Sequence, residues 1–370
     1  MKIAMLGLKG IPYPEGIENF TEQVASRLVE RGHQVTVYVR PYVGGGQNGH
    51  YRGIRIRKLP SVNTKHLDTI THTFLATIDA LRSDVDVVHF HALGPAVFSF
   101  IPRLMGVKTV VQVHGLDWQR EKWGKAAKTL LRCAEYSAAY FPHRTVVISQ
   151  ALKQYFERKY HRHFDYVPTG VESYEHRSPR VIKKWGLDEG NYILFLGRLV
   201  PEKGCHYLLK AFETIKTSMK LVIAGDSSHS DAYVARLKKI ANSKVIFTGF
   251  ARGDLLEELF SNAYAYVLPS ELEGLPHSLL QALSFGKCVL ASDIPANLEA
   301  LGDCGVTFKS GDIEDLKKKI LFLLNHPEFA LAQKEKSQAR VREHYAWNEV
   351  VNRLEQIYVE CLSRDREESF

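Results

Sequence analysis

Residues 263–292 read AYAYVLPSELEGLPHSLLQALSFGKCVLAS. An apolar run closes at Leu268, a helical pattern carries Leu279, Leu280 and Leu283, and a second apolar run, KCVLAS, follows. Short continuous apolar runs are strands buried on both faces, and a helical pattern between two of them is a parallel βαβ unit. Pro276 fits the start of that helix, where the first N–H has no partner. Glu273 therefore sits in a strand-to-helix turn beside unpaired backbone N–H groups, with Gln281 two turns later.

The same alternation runs along all 370 residues. In the first half KIAML, VTVYV, VDVVHF, VKTVVQV and RTVVI are separated by segments such as ENFTEQVASRLVERG, whose Phe20, Val24, Leu28 and Val29 make one apolar stripe. In the second half YILFLG, KLVIAG, KVIFTG, AYVLPS and KCVLAS alternate with further helical patterns. The expected fold class is α/β, with two doubly wound Rossmann-like domains facing a cleft. The expected boundaries are 1–170 and 171–345, with a C-terminal helix at 346–370 packing back on the first domain. VPTGVESYEHRSPR, 167–180, is the linker candidate. Ligands of such sheets bind at the carboxyl ends of strands, so residues just after each run have first claim on function.

A composition of 45 % hydrophobic and 24 % charged residues excludes a disordered chain. Five scattered cysteines without a CxxC pair argue against a zinc site and a disulfide framework. The start MKIAMLGLKG turns polar too soon for a signal peptide, and no apolar run approaches the ~20 residues of a spanning helix. A cytoplasmic protein, at most peripheral at the inner face of the membrane, is expected. The net charge of +8 is uneven, with 25 Lys and Arg against 15 Asp and Glu before residue 181 and 24 against 26 after it. YRGIRIRKL (51–59) and QREKWGKAAKTLLR (119–132) carry much of that excess and suit an anionic membrane surface or a phosphate-bearing acceptor. Nothing points to nucleic acid.

Three loops carry chemistry. GLKGIPYPEGIEN, with Gly7, Gly10 and Gly16, feeds a helix N-terminus and suits an anion, but its spacing is neither GxGxxG nor GxxxxGK. GRLVPEKG, 197–204, brings Arg198 and Lys203 to a strand end, where two cations can converge on a pyrophosphate. The turn around Leu275, Pro276 and His277 adds amides for phosphate oxygen, and Glu273 accepts hydrogen bonds from hydroxyls. Cations and amides for phosphate plus a carboxylate for hydroxyls match a sugar nucleotide.

With these motifs in order, the chain resembles the GT-B glycosyltransferases of the large retaining family 4. GLKGIPYPEGIENF, KHLDTITHTF, VVHFHALGPA and VHGLDWQREKWGKAA are similar to a branch associated with cell-surface polysaccharide synthesis. The resemblance implies transfer of a sugar from a nucleotide-diphosphate donor to a glycan or lipid-linked acceptor, with retention of configuration and with no metal or other cofactor. Arg198 and Lys203 would stabilise the leaving diphosphate, Glu273 would bind sugar hydroxyls, and His114 would face the reacting sugar, these four forming the catalytic set. Gly16, Gly197, Gly249, Phe250, Gly274, Leu275, Pro276, His277 and Gln281 would complete the donor site. Glu15, Glu18, Asp117 and Trp118 would bind acceptor. Gln281 stands where the family places a ribose-binding glutamate, and Glu15 precedes Gly16 where the branch carries two glycines. A non-catalytic sugar-nucleotide or glycan-binding subunit, or an epimerase on the same fold, are the rival readings. Asp84 and Asp86 spell the DxD of metal-dependent transferases but precede their strand, so they read as solvated strand-start residues. His89 and His91 read as hydrogen-bonded histidines, since the sequence places no third ligand beside them.

Overall fold

A run such as VVHFH has no polar face to show to water, so it needs cover on both sides, and the chain supplies helices between its strands. The structure is a computed structural model describing residues 1–367 apart from 14, 44–48, 65, 66, 121, 122, 228 and 229. Lys65 and His66 of KHLDTITHTF, and Glu121 and Lys122 of the second basic stretch, thus lie outside the described residues. Two compact units form, one from Met1–Gly170 with Trp347–Phe370 and one from Val171–Ala346.

The first unit contains β1 (Lys2–Leu6), β2 (Gln34–Val39), β3 (Gly49–Tyr51), β4 (Ile54–Lys58), β5 (Val87–His91), β6 (Lys108–Val113), β7 (Arg144–Val147) and β8 (Asp165–Tyr166). They lie in the order β3-β4-β2-β1-β5-β6-β7-β8, and every pair is parallel except β3–β4. Helices α1 (Gly16–Glu30), α2 (Leu67–Leu81), α3 (Leu93–Ala96), α4 (Phe100–Leu104), α5 (Lys125–Tyr140) and α6 (Gln150–Tyr160) connect them. The expected stripe of α1 is real: Phe20, Val24 and Leu28 are buried, and they share a core with Ile3, Val35 and Val37. Trp347, Val350, Val351, Leu354 and Tyr358 of the C-terminal helix, Trp347–Glu367, join the same core.

One basic stretch departs from its reading as a free surface. YRGIRIRKL turns at Arg52 and Gly53, both at positive φ, into β4, with Ile54 and Ile56 buried. Arg57 then makes a two-pronged contact with Asp79, Nε to Oδ2 at 3.0 Å and Nη2 to Oδ1 at 2.7 Å. The alternation of Ile and Arg puts apolar groups inside and leaves a cation to find its partner on α2.

The second unit is a parallel sheet of β9 (Tyr192–Leu196), β10 (Lys220–Ala224), β11 (Val245–Gly249), β12 (Ala265–Leu268), β13 (Cys288–Ser292) and β14 (Val306–Phe308). Its order is β11-β10-β9-β12-β13-β14. Around it lie α7 (Cys205–Glu213), α8 (Asp231–Ile240), α9 (Asp254–Asn262), α10 (His277–Ser284), α11 (Pro295–Leu301), α12 (Ile313–Asn325) and α13 (Pro327–His344). The opening stretch is β12–α10–β13. Its helix begins one residue later than expected, because Pro276, at ψ 97°, is still extended and caps it. The linker candidate is tethered: buried Glu258 of α9 accepts from the backbone N–H groups of Arg180, Val181 and Ile182 at 2.8, 2.7 and 3.2 Å. β9 has β10 on one side and β12 on the other, so the sheet's growth reverses there and the loops after β9 and β12 become neighbours. No helix among the described residues is long and apolar enough to cross a membrane.

Candidate functional site

In the second unit, Pro201–Lys203 forms a single 3-10 turn after β9, and Gly204 leaves it at φ +66°. A side chain at Gly204 would put its Cβ 1.9 Å from the Pro269 carbonyl oxygen, so only glycine lets the two loops close up. The Glu271 N–H donates to the Glu202 carbonyl at 2.9 Å. The Tyr266 hydroxyl bridges the Leu196 carbonyl and the Ser278 hydroxyl at 3.2 and 2.8 Å, tying the end of β9 to the first turn of α10.

Within this frame Lys203 Nζ lies 2.6 Å from Glu273 Oε1, and the Ser270 hydroxyl donates to the same oxygen at 2.6 Å. Arg198 is half-buried in the same loop, and its side chain takes no hydrogen bond or ion pair with the described residues. The first N–H groups of α10 have no partner within the helix. Leu275 is buried, and burial pushes the His277 imidazole down to about 4, so it is neutral at physiological pH. Gln281 is buried, and its amide N–H faces the Tyr174 hydroxyl at 3.4 Å. Tyr174 stacks on Phe285 at 4.3 Å, and Phe285 on Phe260 at 5.3 Å. Tyr174 lies in the segment read as a linker, where no sequence signal marks it. Gly197 follows β9, and Gly274 lies between Glu273 and Leu275. Gly249, at φ +73°, has open space where a side chain would stand, and Phe250 beside it is 51 % exposed.

In the first unit, His91 ends β5 and His114 follows β6, and the pairing of those strands sets His91 Nδ1 3.3 Å from His114 Nε2. His89 Nδ1 lies 2.7 Å from the Tyr358 hydroxyl, and the His89 and His91 rings are 4.2 Å apart. A third histidine thus does join the two visible in the sequence. Even so, no group of three or more His, Cys, Asp or Glu among the described residues is arranged to hold a metal ion. Burial drives His89 and His114 down to about 3 and His91 well below its usual value, the Arg120 charge adding to the effect at His114. Phe20 sets its ring edge-on to His114 at 5.4 Å.

The acceptor-side candidates are mostly engaged. Glu15 precedes Gly16 at the start of α1 and pairs with Lys9 at 2.5 Å. Glu18 is buried, accepts from the Lys9 N–H at 3.0 Å, and has its carboxyl pushed up by burial. Asp117 pairs with Arg120 at 3.3 Å. The Trp118 indole N–H donates to Glu135 at 2.5 Å, and the same buried carboxylate accepts from Tyr155, Tyr160 and Lys159 at 3.0, 2.6 and 2.6 Å. Asp84 pairs with Lys2 at 2.8 Å, and Asp86 accepts from the Lys2 N–H at 2.6 Å. Both aspartates brace the start of the sheet, away from the carboxyl ends.

A family model described as "Glycosyl transferases group 1" matches residues 178–340, and one described as "Glycosyltransferase Family 4" matches residues 14–173. An uncharacterized glycosyltransferase of Methanocaldococcus jannaschii is 25% identical over 81% of this chain and 83% of its own length. A GDP-mannose-dependent alpha-mannosyltransferase of Mycolicibacterium smegmatis is 25% identical over 82% of this chain and 83% of its own. Among solved structures, HepE of Anabaena in complex with UDP-glucose superposes with a TM-score of 0.81 at 20% identity, covering 98% of this chain and 100% of that one.

Proposed function

The chain belongs to the family 4-type glycosyltransferases of GT-B fold, and on that footing we propose that it is a retaining, metal-independent enzyme that moves a sugar from a nucleotide-diphosphate donor to a glycan or lipid-linked acceptor. The observation that carries the donor reading is the contact between Lys203 and Glu273 at the ends of adjacent strands, with the first turn of α10 four residues beyond. A bound donor would exchange that contact for two others, its diphosphate against Lys203, Arg198 and the helix amides, and its sugar hydroxyls against Glu273.

In the proposed reaction the acceptor hydroxyl oxygen bonds to the anomeric carbon on the face from which the diphosphate leaves. The bond from that carbon to the phosphate oxygen breaks, and the acceptor's proton passes to the departing phosphate. Arg198 and Lys203 stabilise the charge that builds there, as fixed cations do in oxyanion-type catalysis. His114 holds a sugar oxygen by a hydrogen bond. Asp117 and Trp118, three and four residues after it, are the acceptor-side candidates of the same loop.

The test is a thermal-shift panel of UDP-, GDP-, ADP- and dTDP-linked sugars on the protein and on Gln281→Glu, since a ligand that prefers the folded state raises its melting temperature. One nucleotide series should stabilise both proteins, the variant more strongly, because a carboxylate accepts a ribose hydroxyl about twice as well as a neutral amide. If no series acts on either protein, the donor reading falls. The acceptor's lipid anchor would bring the first unit to an anionic membrane. Lys125, Arg132, Leu130 and Tyr136 lie exposed on α5, the last two 49% and 54% accessible, which is the mix of charge and apolar surface such contact needs. Failure to sediment with phosphatidylglycerol liposomes at low salt would remove that part of the proposal.

A further inference from the structure

The contact between His91 and His114 contains more than proximity. Burial keeps both rings neutral, so the 3.3 Å contact between His91 Nδ1 and His114 Nε2 needs a proton on one of the two nitrogens. The choice is decided at the far side of His91, which is fully buried. There His91 Nε2 has no hydrogen-bond partner, and Gln112, its register partner across β5–β6, does not supply one, both of its amide atoms being unpartnered as well. His89, its ring tilted by 37° against that of His91, uses its Nδ1 on Tyr358 and has an unpartnered Nε2 of its own.

Two arrangements are possible. If His114 donates from Nε2, the His91 proton sits on Nε2 and a further buried N–H is left with no acceptor beside the Gln112 amide that already lacks one, at the desolvation cost of a donor. If His91 donates from Nδ1, its buried Nε2 is a bare lone pair, and the N–H left over is His114 Nδ1–H on a mostly buried ring that keeps some accessible surface. Among the described residues Nδ1 of His114 takes no hydrogen bond.

We propose that His91 is a positioning residue that fixes His114 as its Nδ1–H tautomer, so that His114 meets a bound sugar as a hydrogen-bond donor and not as a base. The inference rests on reading His114 as a sugar contact. It gives a reason for the acceptor's proton to go to the leaving phosphate, since the nitrogen offered by His114 already carries one. The edge-on Phe20 ring holds the imidazole plane while His91 sets its proton.

The test needs no substrate. The full chain is labelled with 15N at histidine, and two-bond 1H–15N correlations are recorded at pH 7.5 for the wild type, His91→Leu and His91→Asn. His114 should show a protonated Nδ1 and a bare Nε2 in the wild type and a mixture of tautomers in His91→Leu. It should return to the wild-type pattern in His91→Asn, whose amide N–H takes the place of Nδ1–H. A wild-type His114 protonated at Nε2, or an unchanged pattern in His91→Leu, overturns the proposal. Should His91→Leu fail to fold, the wild type and His91→Asn decide it. If the chain transfers sugar, His91→Leu should lower turnover about tenfold at unchanged donor KM, the scale of one lost hydrogen bond, and His91→Asn should recover most of it. The wild-type tautomer pattern in a chain that binds no sugar nucleotide would keep His91 as the residue that fixes the His114 proton, and would sink the donor reading and with it that proton's role toward a sugar.

Discussion

In the second unit the loops at the carboxyl ends of the strands hold Arg198, Lys203 and Glu273, whereas in the first unit the equivalent positions hold His91 and His114. The first unit keeps an ion pair of its own after β2, Arg40 with Asp68 at 2.6 Å, so the contrast lies in these loops and not in the sheets as a whole. Lys203 and Glu273 face each other, with side chains only 13% and 9% exposed. A nearly buried ion pair is weak evidence for stability, because desolvation offsets its Coulomb gain. On the proposed reading a diphosphate replaces one partner of the pair at the sheet's switch point. The histidines are kept neutral by burial, and neutral imidazoles can direct a hydrogen bond without holding an anion. The difference separates a pair of loops that gathers opposite charges from one that gathers neutral imidazoles.

The sharpest way to break that comparison is to remove the charge. Arg198→Ala and Lys203→Ala should each reduce turnover by at least ~100-fold, the usual loss for one charge-stabilising donor, measured with the nucleotide sugar that the thermal-shift panel selects. They should differ in stability. Arg198 takes no partner among the described residues, so its loss should leave the melting temperature nearly unchanged, whereas Lys203→Ala strands the Glu273 carboxylate and should lower it. Full turnover in both variants would mean that the charged loops do not act on the leaving group.

Much of the fold can be read from the sequence because buried parallel strands announce themselves as continuous apolar runs, and the βαβ reading of 263–292 needs only those runs and the helical period between them. The hairpin at β3 and β4 is visible too, in the alternation IRIR, but the arginines that make the stretch look like surface obscure it. The contacts of the candidate site are a different matter. Arg198, Lys203 and Glu273 can be put on strand-end loops from sequence, yet the contact between Lys203 and Glu273 exists because β9 and β12 are neighbours, and strand order is set by packing. His89 and His91 are two letters apart in the text, while His114 reaches them only through the pairing of β5 with β6. Tyr174 facing Gln281 has no local signature, since the segment carrying it looks like a linker until Glu258 is seen to hold its end.

A gentler probe sharpens the same comparison through pH. Among the described residues, His72, His89, His91 and His114 of the first unit have lowered pKa values, against His206 and His277 of the second. Desolvation is the leading cause for each. In the unfolded chain these imidazoles titrate near 6.5, so below that pH the unfolded state binds protons that the folded state refuses until about 3 at His89. Stability is then fully present above pH 6.5 and lost as pH falls toward 3. Each fully buried ring, such as His89, removes up to about 1.4 kcal/mol per pH unit in that window. Between pH 7.5 and 5.5 histidine is the side chain whose ordinary pKa falls in the window, so the buried imidazoles dominate. Hydrogen exchange, corrected for its intrinsic pH dependence, should show protection of β5 falling more steeply than protection of β12 across that range. Parallel losses in the two strands would mean that the units unfold together or that the histidines of the first unit are solvated, and the contrast between the charged loops and the neutral histidines would then lose its energetic basis.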